Sequence, residues 1–289
     1  MKAALLPDRG VIKVTGADAL AFLNNLVTAD LTRAAAGAAR FTALLTPQGK
    51  IIADFFAVQA SEADGGGIFL DAPRALVEPL MARLTMYKLR AKITVEDLSA
   101  KLGVMAVWDA PGPVASEYGL SYADPRVAAL GTRIILPPDV VAEAAQDLGA
   151  ELVDARDYET HRIGLAVPRG GQDFMYSDAF PHETAMDQLG GVDFDKGCFI
   201  GQEVVSRTQH RGTARTRIMR VTFDGFPPDS GMPVLAGEKQ VGTMGSGIEG
   251  RGVAMLRLDR IADAEAAGHA LTAGGVPITP AKPDWAKYG

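Results

Sequence analysis

The chain reads as an α+β protein whose C-terminal part is a small β-barrel or sandwich. Two observations carry that expectation. Strands and helices alternate with hairpins mixed in, which is not a regular βαβ series. After residue 213 the composition changes to short strands at 217–223, 232–235, 240–244, 252–258 and 276–279, separated by Gly, Pro and Asp. A length of 289 residues fits about two domains. The boundary is expected near residues 212–216, giving an α+β region over 1–214 and a barrel over 215–289.

Each element has its own signal. Residues 10–14 alternate like a short strand, and Thr15 with Asp18 forms a capping box. Leu20, Leu23, Val27 and Leu31 then recur at helical spacing. Residues 41–45 and 51–58 are apolar and β-prone, and Thr46-Pro47-Gln48-Gly49-Lys50 supplies the turn of a hairpin. Residues 68–70 predict a strand. Val77, Leu80, Met81 and Leu84 predict a helix, in which Pro79 marks a kink or a later start. Strands are expected at 91–98, 102–108 and 133–136, with a loop over 110–125. Pro138 opens a helix that Gly149 closes. Residues 154–164 read as helical. The run 168–198 is irregular, with a short helix expected at 182–190. Gly201 starts a helix that Gly212 ends.

Composition bounds the function. Net charge is −6, from 29 basic and 35 acidic residues, which argues against a dedicated nucleic-acid binder. The basic run of Arg207, His210, Arg211, Arg215, Arg217 and Arg220 reads as a solvated face or a dock for a polyanion. No apolar run approaches the length of a membrane-spanning helix. A single cysteine excludes an intramolecular disulfide, a Cys-based zinc site and an iron–sulfur cluster held by this chain alone. It also fits a reducing compartment, and the expected location is the cytoplasm.

The densest concentration of chemistry is Lys196-Gly197-Cys198-Phe199-Ile200-Gly201-Gln202-Glu203. A thiol near a lysine and a helix start is one whose thiolate both would stabilise. The competing reading is a small buried hydrophobe. His182 and His210 pair with Cys198 only if the fold brings them close. Gln202 and Glu203 offer hydrogen bonds to a planar heterocycle, and His182-Glu183 adds a carboxylate. Asp54 lies between apolar neighbours in its strand, facing either solvent or a pocket. Gly245-Ser246-Gly247-Ile248-Glu249-Gly250 matches a dinucleotide fingerprint but is followed by a strand, so it is assigned to β-turns.

These residues also carry a resemblance. Lys196 to Glu203 resembles the K-G-C-[FY]-x-G-Q-E signature of the YgfZ family, within the tetrahydrofolate-binding superfamily that includes the glycine-cleavage T-protein. Asn24-Asn25-Leu26-Val27-Thr28-Ala29-Asp30-Leu31 resembles the family's early helix, and Pro47-Gln48-Gly49-Lys50-Ile51-Ile52-Ala53-Asp54 its hairpin. Val241-Gly242-Thr243 and Ser246 resemble the start of its barrel.

The resemblance implies a three-lobed T-protein-like folate-binding fold with a C-terminal β-barrel. It implies tetrahydrofolate as ligand and a role in iron–sulfur protein assembly or repair, with iron–sulfur proteins or assembly factors as partners and effects on iron–sulfur tRNA-modifying enzymes. Cys198 and Lys196 are then the functional pair. Glu183 is expected to bond a pterin and Arg162 a ligand carboxylate, with Gln202, Glu203 and Asp54 as further contacts. Folate-dependent aminomethyl transfer is the alternative. T-proteins place an aspartate after the stretch matching Asp71-Ala72-Pro73-Arg74, and none follows here.

Overall fold

The computed structural model describes residues 1–35, 37–212 and 214–288. Thr213, inside the expected boundary, lies outside the described residues. Two compact units emerge: one of residues 1–45, 52–158 and 189–200, the other of 46–51, 159–188 and 201–289. The segment 159–188, expected with the α+β region, therefore packs with the barrel.

The first unit holds two five-stranded sheets. One comprises β1 (Lys2–Leu5), β7 (Gly103–Trp108), β8 (Leu120–Ala123), β9 (Thr132–Leu136) and β10 (Glu151–Leu152), in the order β10-β1-β7-β9-β8. The other comprises β2 (Arg9–Thr15), β3 (Ala39–Leu45), β4 (Ile51–Gln59), β5 (Ile68–Pro73) and β6 (Thr94–Asp97), ordered β3-β4-β5-β2-β6. Helices α1 (Ala19–Leu26) and α2 (Val77–Lys88) cover the second sheet, burying Leu23, Val77, Leu80 and Leu84 with Ile12, Phe55 and Leu70. Pro79 is the third residue of α2, where a missing N–H costs nothing, so the later start holds. Helix α3 (Val141–Asp147) buries Val141, Ala144 and Ala145 against the first sheet.

The capping box does not form. Thr15 ends β2, and Asp18 instead accepts from the Lys92 amide at 2.7 Å. Helix α1 is correspondingly short. Val27 turns extended, and residues 27–29 lie along β3 through Thr28 N–Ala43 O and a Val27–Leu44 bridge.

In the second unit, β11 (Thr216–Thr222), β12 (Pro233–Ala236), β13 (Lys239–Ile248), β14 (Arg251–Arg257), β15 (Leu271–Ala273) and β16 (Val276–Ala281) form a closed barrel in the order β11-β14-β13-β12-β15-β16. Closure, by pairing β11 with β16, removes the free edges. Inward residues such as Val221, Val234, Ala254 and Leu256 fill it. Helix α6 (Leu258–Ala266), unforeseen from the sequence, packs Ile261 and Ala264 onto the barrel. Helix α4 (Ala155–Gly164) carries the chain from one unit to the other.

The expected helix at 182–190 is a series of turns. Ala185 adopts φ +60°, which an α-helix cannot continue through. Helix α5 (Gln202–Arg211) is as expected: Gly201 caps it with φ +80° and Gly212 ends it. A Cβ on Gly201 would stand 2.6 Å from the Thr46 carbonyl oxygen, so the hairpin turn and the start of α5 touch only because that residue is glycine.

Candidate functional site

Two places gather the candidate residues, one in each unit. In the first, the segment 191–199 is tied to the chain that follows α1. The Thr28 hydroxyl donates to Gly191 O at 2.6 Å, and Asp193 N donates to Thr28 O at 3.0 Å. The Asp193 carboxylate meets Arg33 at 3.3 Å and Arg40 at 3.5 Å.

Lys196 turns inward. Its ammonium donates to the carbonyls of Asn24 (2.6 Å), Val27 (2.7 Å) and Ala29 (3.0 Å). A carbonyl at the end of a helix lacks an intrahelical partner, and a cation suits that negative end. Burial pulls Lys196 down to about 8, opposed by Asp30 and Asp193. Phe199 is buried as well, with its ring centroid 5.5 Å from the ammonium. Between these two anchors Gly197 and Cys198 are exposed. The buried-hydrophobe reading of Cys198 therefore fails. The three N–H donors of Lys196 are committed to those carbonyls, which leaves none for a hydrogen bond to the Cys198 sulfur. Asp54 lies half-buried on β4, on the same face as Ile52.

The second place is a cavity of about 330 Å³ lined by Phe180, His182, Glu183, Val204, Thr208, Ala214, Arg215, Thr216 and Arg257. Glu183 Oε2 accepts from Phe180 N at 3.0 Å. Burial raises the Glu183 carboxyl, and nearby Asp178 adds to the rise. His182 Nε2 lies 3.0 Å from Gln209 Oε1, and burial lowers the imidazole. From α5, Val204 and Thr208 line the cavity; they share one helical face. Gln202 and Glu203, expected as ligand contacts, are absent from that lining, half-buried and exposed respectively in the first turn.

Arg162 also needs correction. Its guanidinium bonds both Glu159 carboxylate oxygens, Val167 O, Asp173 Oδ2 (2.8 Å) and Ser246 Oγ (2.6 Å). All five donors are used, leaving none for a ligand carboxylate. Asp173 Oδ1 in turn receives Ser246 N at 2.6 Å. Ser246 belongs to β13, so the glycine-rich stretch expected as turns is largely strand. The basic run disperses. Arg217 pairs with Asp187 at 2.8 Å and Arg220 with Asp284 at 2.9 Å, while Arg207, His210 and Arg211 stay exposed.

Sequence reasoning missed Arg257, Thr208 and Val204 as cavity residues. No local motif marks them; only the meeting of α5, β11 and β14 does.

Comparison with known proteins places this architecture. A family described as "GCVT N-terminal domain" matches residues 8–118, and one described as "CAF17, C-terminal beta-barrel domain" matches residues 215–288. A mouse protein named "Iron-sulfur cluster assembly factor IBA57, mitochondrial" is 32% identical over 308 residues, covering 97% of this chain and 84% of its own. The chain belongs to the IBA57 family. This is the CAF17/IBA57, YgfZ-like branch of the GcvT superfamily, so the resemblance to YgfZ holds for the branch and not for YgfZ itself.

An IBA57 homologue from Mycosarcoma maydis, also named an iron-sulfur cluster assembly factor, is 34% identical over 242 residues, or 78% of this chain. The chain spans about three fifths of that relative's length, the match covering 59% of it. Aminomethyltransferase T of the glycine cleavage system from Bartonella henselae superposes with a TM-score of 0.77 at 16% identity, over 99% of this chain and 86% of its own, which fixes the fold as GcvT-like. The expectation of a cytoplasmic location is overturned: the mouse and Mycosarcoma maydis IBA57 relatives are both named mitochondrial. A lone cysteine speaks of redox environment and does not name a compartment.

Proposed function

We propose that this chain is an accessory factor in iron–sulfur protein assembly, in which Cys198 is the group that meets the cluster and a reduced folate is a bound ligand. The observation that carries the reading is the exposed thiol held between the buried Lys196 and Phe199. The names of the IBA57 relatives support the process.

One thiolate is a single ligand, and iron–sulfur clusters take four. Among the described residues no group of three or more His, Cys, Asp or Glu is arranged to hold a metal ion. The remaining ligands are therefore assigned to a partner protein or a second copy, and the cluster is cargo. Iron–sulfur tRNA-modifying enzymes are one class of client that fits.

The cavity around Glu183 suits tetrahydrofolate by its chemistry. A carboxylate accepts from the N–H edge of a pterin, Phe180 offers an apolar wall, and Arg215 carries charge for glutamate carboxylates, while Arg257 is forked onto Asp259. When bound, the folate supplies a one-carbon carrier; Glu183 orients it and Phe180 shields it from water.

Replacing Cys198 by Ala is expected to leave folding and tetrahydrofolate binding intact while abolishing rescue of iron–sulfur enzyme activity in cells lacking the factor. Full rescue by that variant sinks the role of Cys198.

Aminomethyl transfer is the second reading, favoured by the cavity carboxyl of Glu183, which burial helps to hold a proton. Against it, Asp71, in the stretch that matches the T-protein site, is fully buried in bonds to Arg9, Arg133 and Tyr122. Turnover of an aminomethyl donor with tetrahydrofolate, lost in Glu183→Ala, would favour this second reading; no turnover with any donor dismisses it.

A further inference from the structure

The K-G-C segment separates two tasks between neighbouring residues. Cys198 is exposed, whereas Lys196 two positions earlier is 7% exposed. An ammonium is the only side-chain group that offers three donors from one atom. Here three acceptors converge on it, the carbonyls of Asn24, Val27 and Ala29. They lie in α1 and in the extended residues after it, which Thr28 and the Val27–Leu44 bridge fix against β3. Lys196 thus joins the segment to a rigid part of its unit. Phe199 forms the second anchor, and Gly197 and Cys198 lie exposed between the two.

We infer that Lys196 is a positioning residue for Cys198: its ammonium, seated in the three carbonyls, fixes where the thiol is presented and does not activate it. The inference rests on the proposed role of Cys198 and deepens it. A cluster ligand shared with a partner must be offered in one geometry, and an untethered thiol would pay the ordering cost at each encounter. Methionine at 196 would keep the apolar stem but take the donor from three carbonyls, two of them, those of Val27 and Ala29, in buried bonds. Arginine would keep the charge, but its planar fork cannot bring three N–H groups from one point to the three oxygens.

Cys198 is the only cysteine, so a methanethiosulfonate nitroxide labels it alone. Electron paramagnetic resonance of the labelled wild type is expected to show a restricted, slow component. Lys196→Met and Lys196→Arg are both expected to lose it while circular dichroism shows them folded. The pH at which iodoacetamide alkylation of Cys198 reaches half its maximal rate is expected to be the same in all three. A merely global role would lower the melting temperature and leave the line shape of the folded protein unchanged. If Lys196→Met does not fold, Lys196→Arg alone decides, since it retains charge and loses geometry.

A wild-type line shape in the folded variants overturns the proposal. So does a raised alkylation midpoint in Lys196→Met that Lys196→Arg restores. The readout involves neither cluster nor folate, so its failure leaves the assembly role standing, and failure of the assembly role leaves it intact.

Discussion

Asp71 on β5 and Arg133 on β9 pair at 2.9 Å with both side chains almost wholly out of water, joining the two sheets of the first unit. The same carboxylate receives Arg9 Nε at 2.5 Å and the Tyr122 hydroxyl at 2.6 Å. Arg133 continues to Asp124 at 3.1 Å, and Phe56 lies beneath the guanidiniums of Arg133 and Arg126 at 4.5 and 4.8 Å. Removing one partner of a buried pair strands the other. Arg133→Met is therefore expected to lower stability by about 3–5 kcal/mol. Urea unfolding of the full chain checks this, and a loss below about 1 kcal/mol would show the network to be solvent-relaxed.

The same network sets an acid limit. Burial raises the Asp124 carboxyl, but Arg126 and then Arg133 outweigh it and hold the group at about 2. A depressed carboxyl contributes stability that is fully present above its unfolded value and is lost as pH falls through the folded one. Asp124 alone is then worth about 2 kcal/mol at neutral pH, lost between pH ~4 and ~2. Asp71 is lowered as well, chiefly by Arg9 and Arg133 against the cost of burial, and adds to the same slope. Denaturant unfolding across that window should steepen with acid for the wild type and less for Asp124→Asn. Equal slopes would remove Asp124 from the account.

Much of this fold is legible in the sequence because its cues are local. The turn at Thr46–Lys50, the glycines bracketing α5 and the start of α2 at Val77, which leaves Pro79 in its first turn, follow from backbone chemistry within a few residues. The short edge strand β8 escaped because the proline-rich run before it reads as loop. Helix α6 escaped because its buried stripe is only Ile261 and Ala264. Cys198 stood out by composition. The role of Lys196 did not, because its acceptors are backbone carbonyls far earlier in the chain, and a carbonyl has no letter in a sequence. Arg162 misled because its side-chain partners Asp173 and Ser246 reach it only in three dimensions.

Gly245 tests that last cluster. A Cβ there would sit 2.4 Å from Asp173 Oδ1 and 3.0 Å from Asp173 Cα. Asp173 cannot retreat without releasing Arg162, Ser246 and the Arg169 amide, which it binds at 2.8, 2.6 and 2.7 Å. Gly245→Ala is expected to destabilise the barrel-containing unit by about 1–3 kcal/mol, as overpacking does. Hydrogen exchange read on β13 and β14 amides localises the loss. Unchanged protection there would mean that Asp173 yields freely.

Glu183 ties pH to ligand binding. Burial, with Asp178 adding to it, raises the carboxyl, while the Phe180 amide and Lys50 oppose the rise. The raised pKa means that the group takes up its proton at a higher pH than an ordinary glutamate. Only the ionised carboxylate accepts from two N–H groups of a pterin edge, because the protonated form spends one oxygen as a donor. Tetrahydrofolate affinity is therefore expected to be flat at neutral pH and to fall as the solution is acidified through the raised value. Glu183→Gln should weaken binding about tenfold or more, the loss of a charge-assisted bond, and should flatten the pH profile. Calorimetric titration of both proteins from neutral pH downward makes the comparison. A variant that binds as tightly as the wild type, with the same profile, would move the folate away from this cavity.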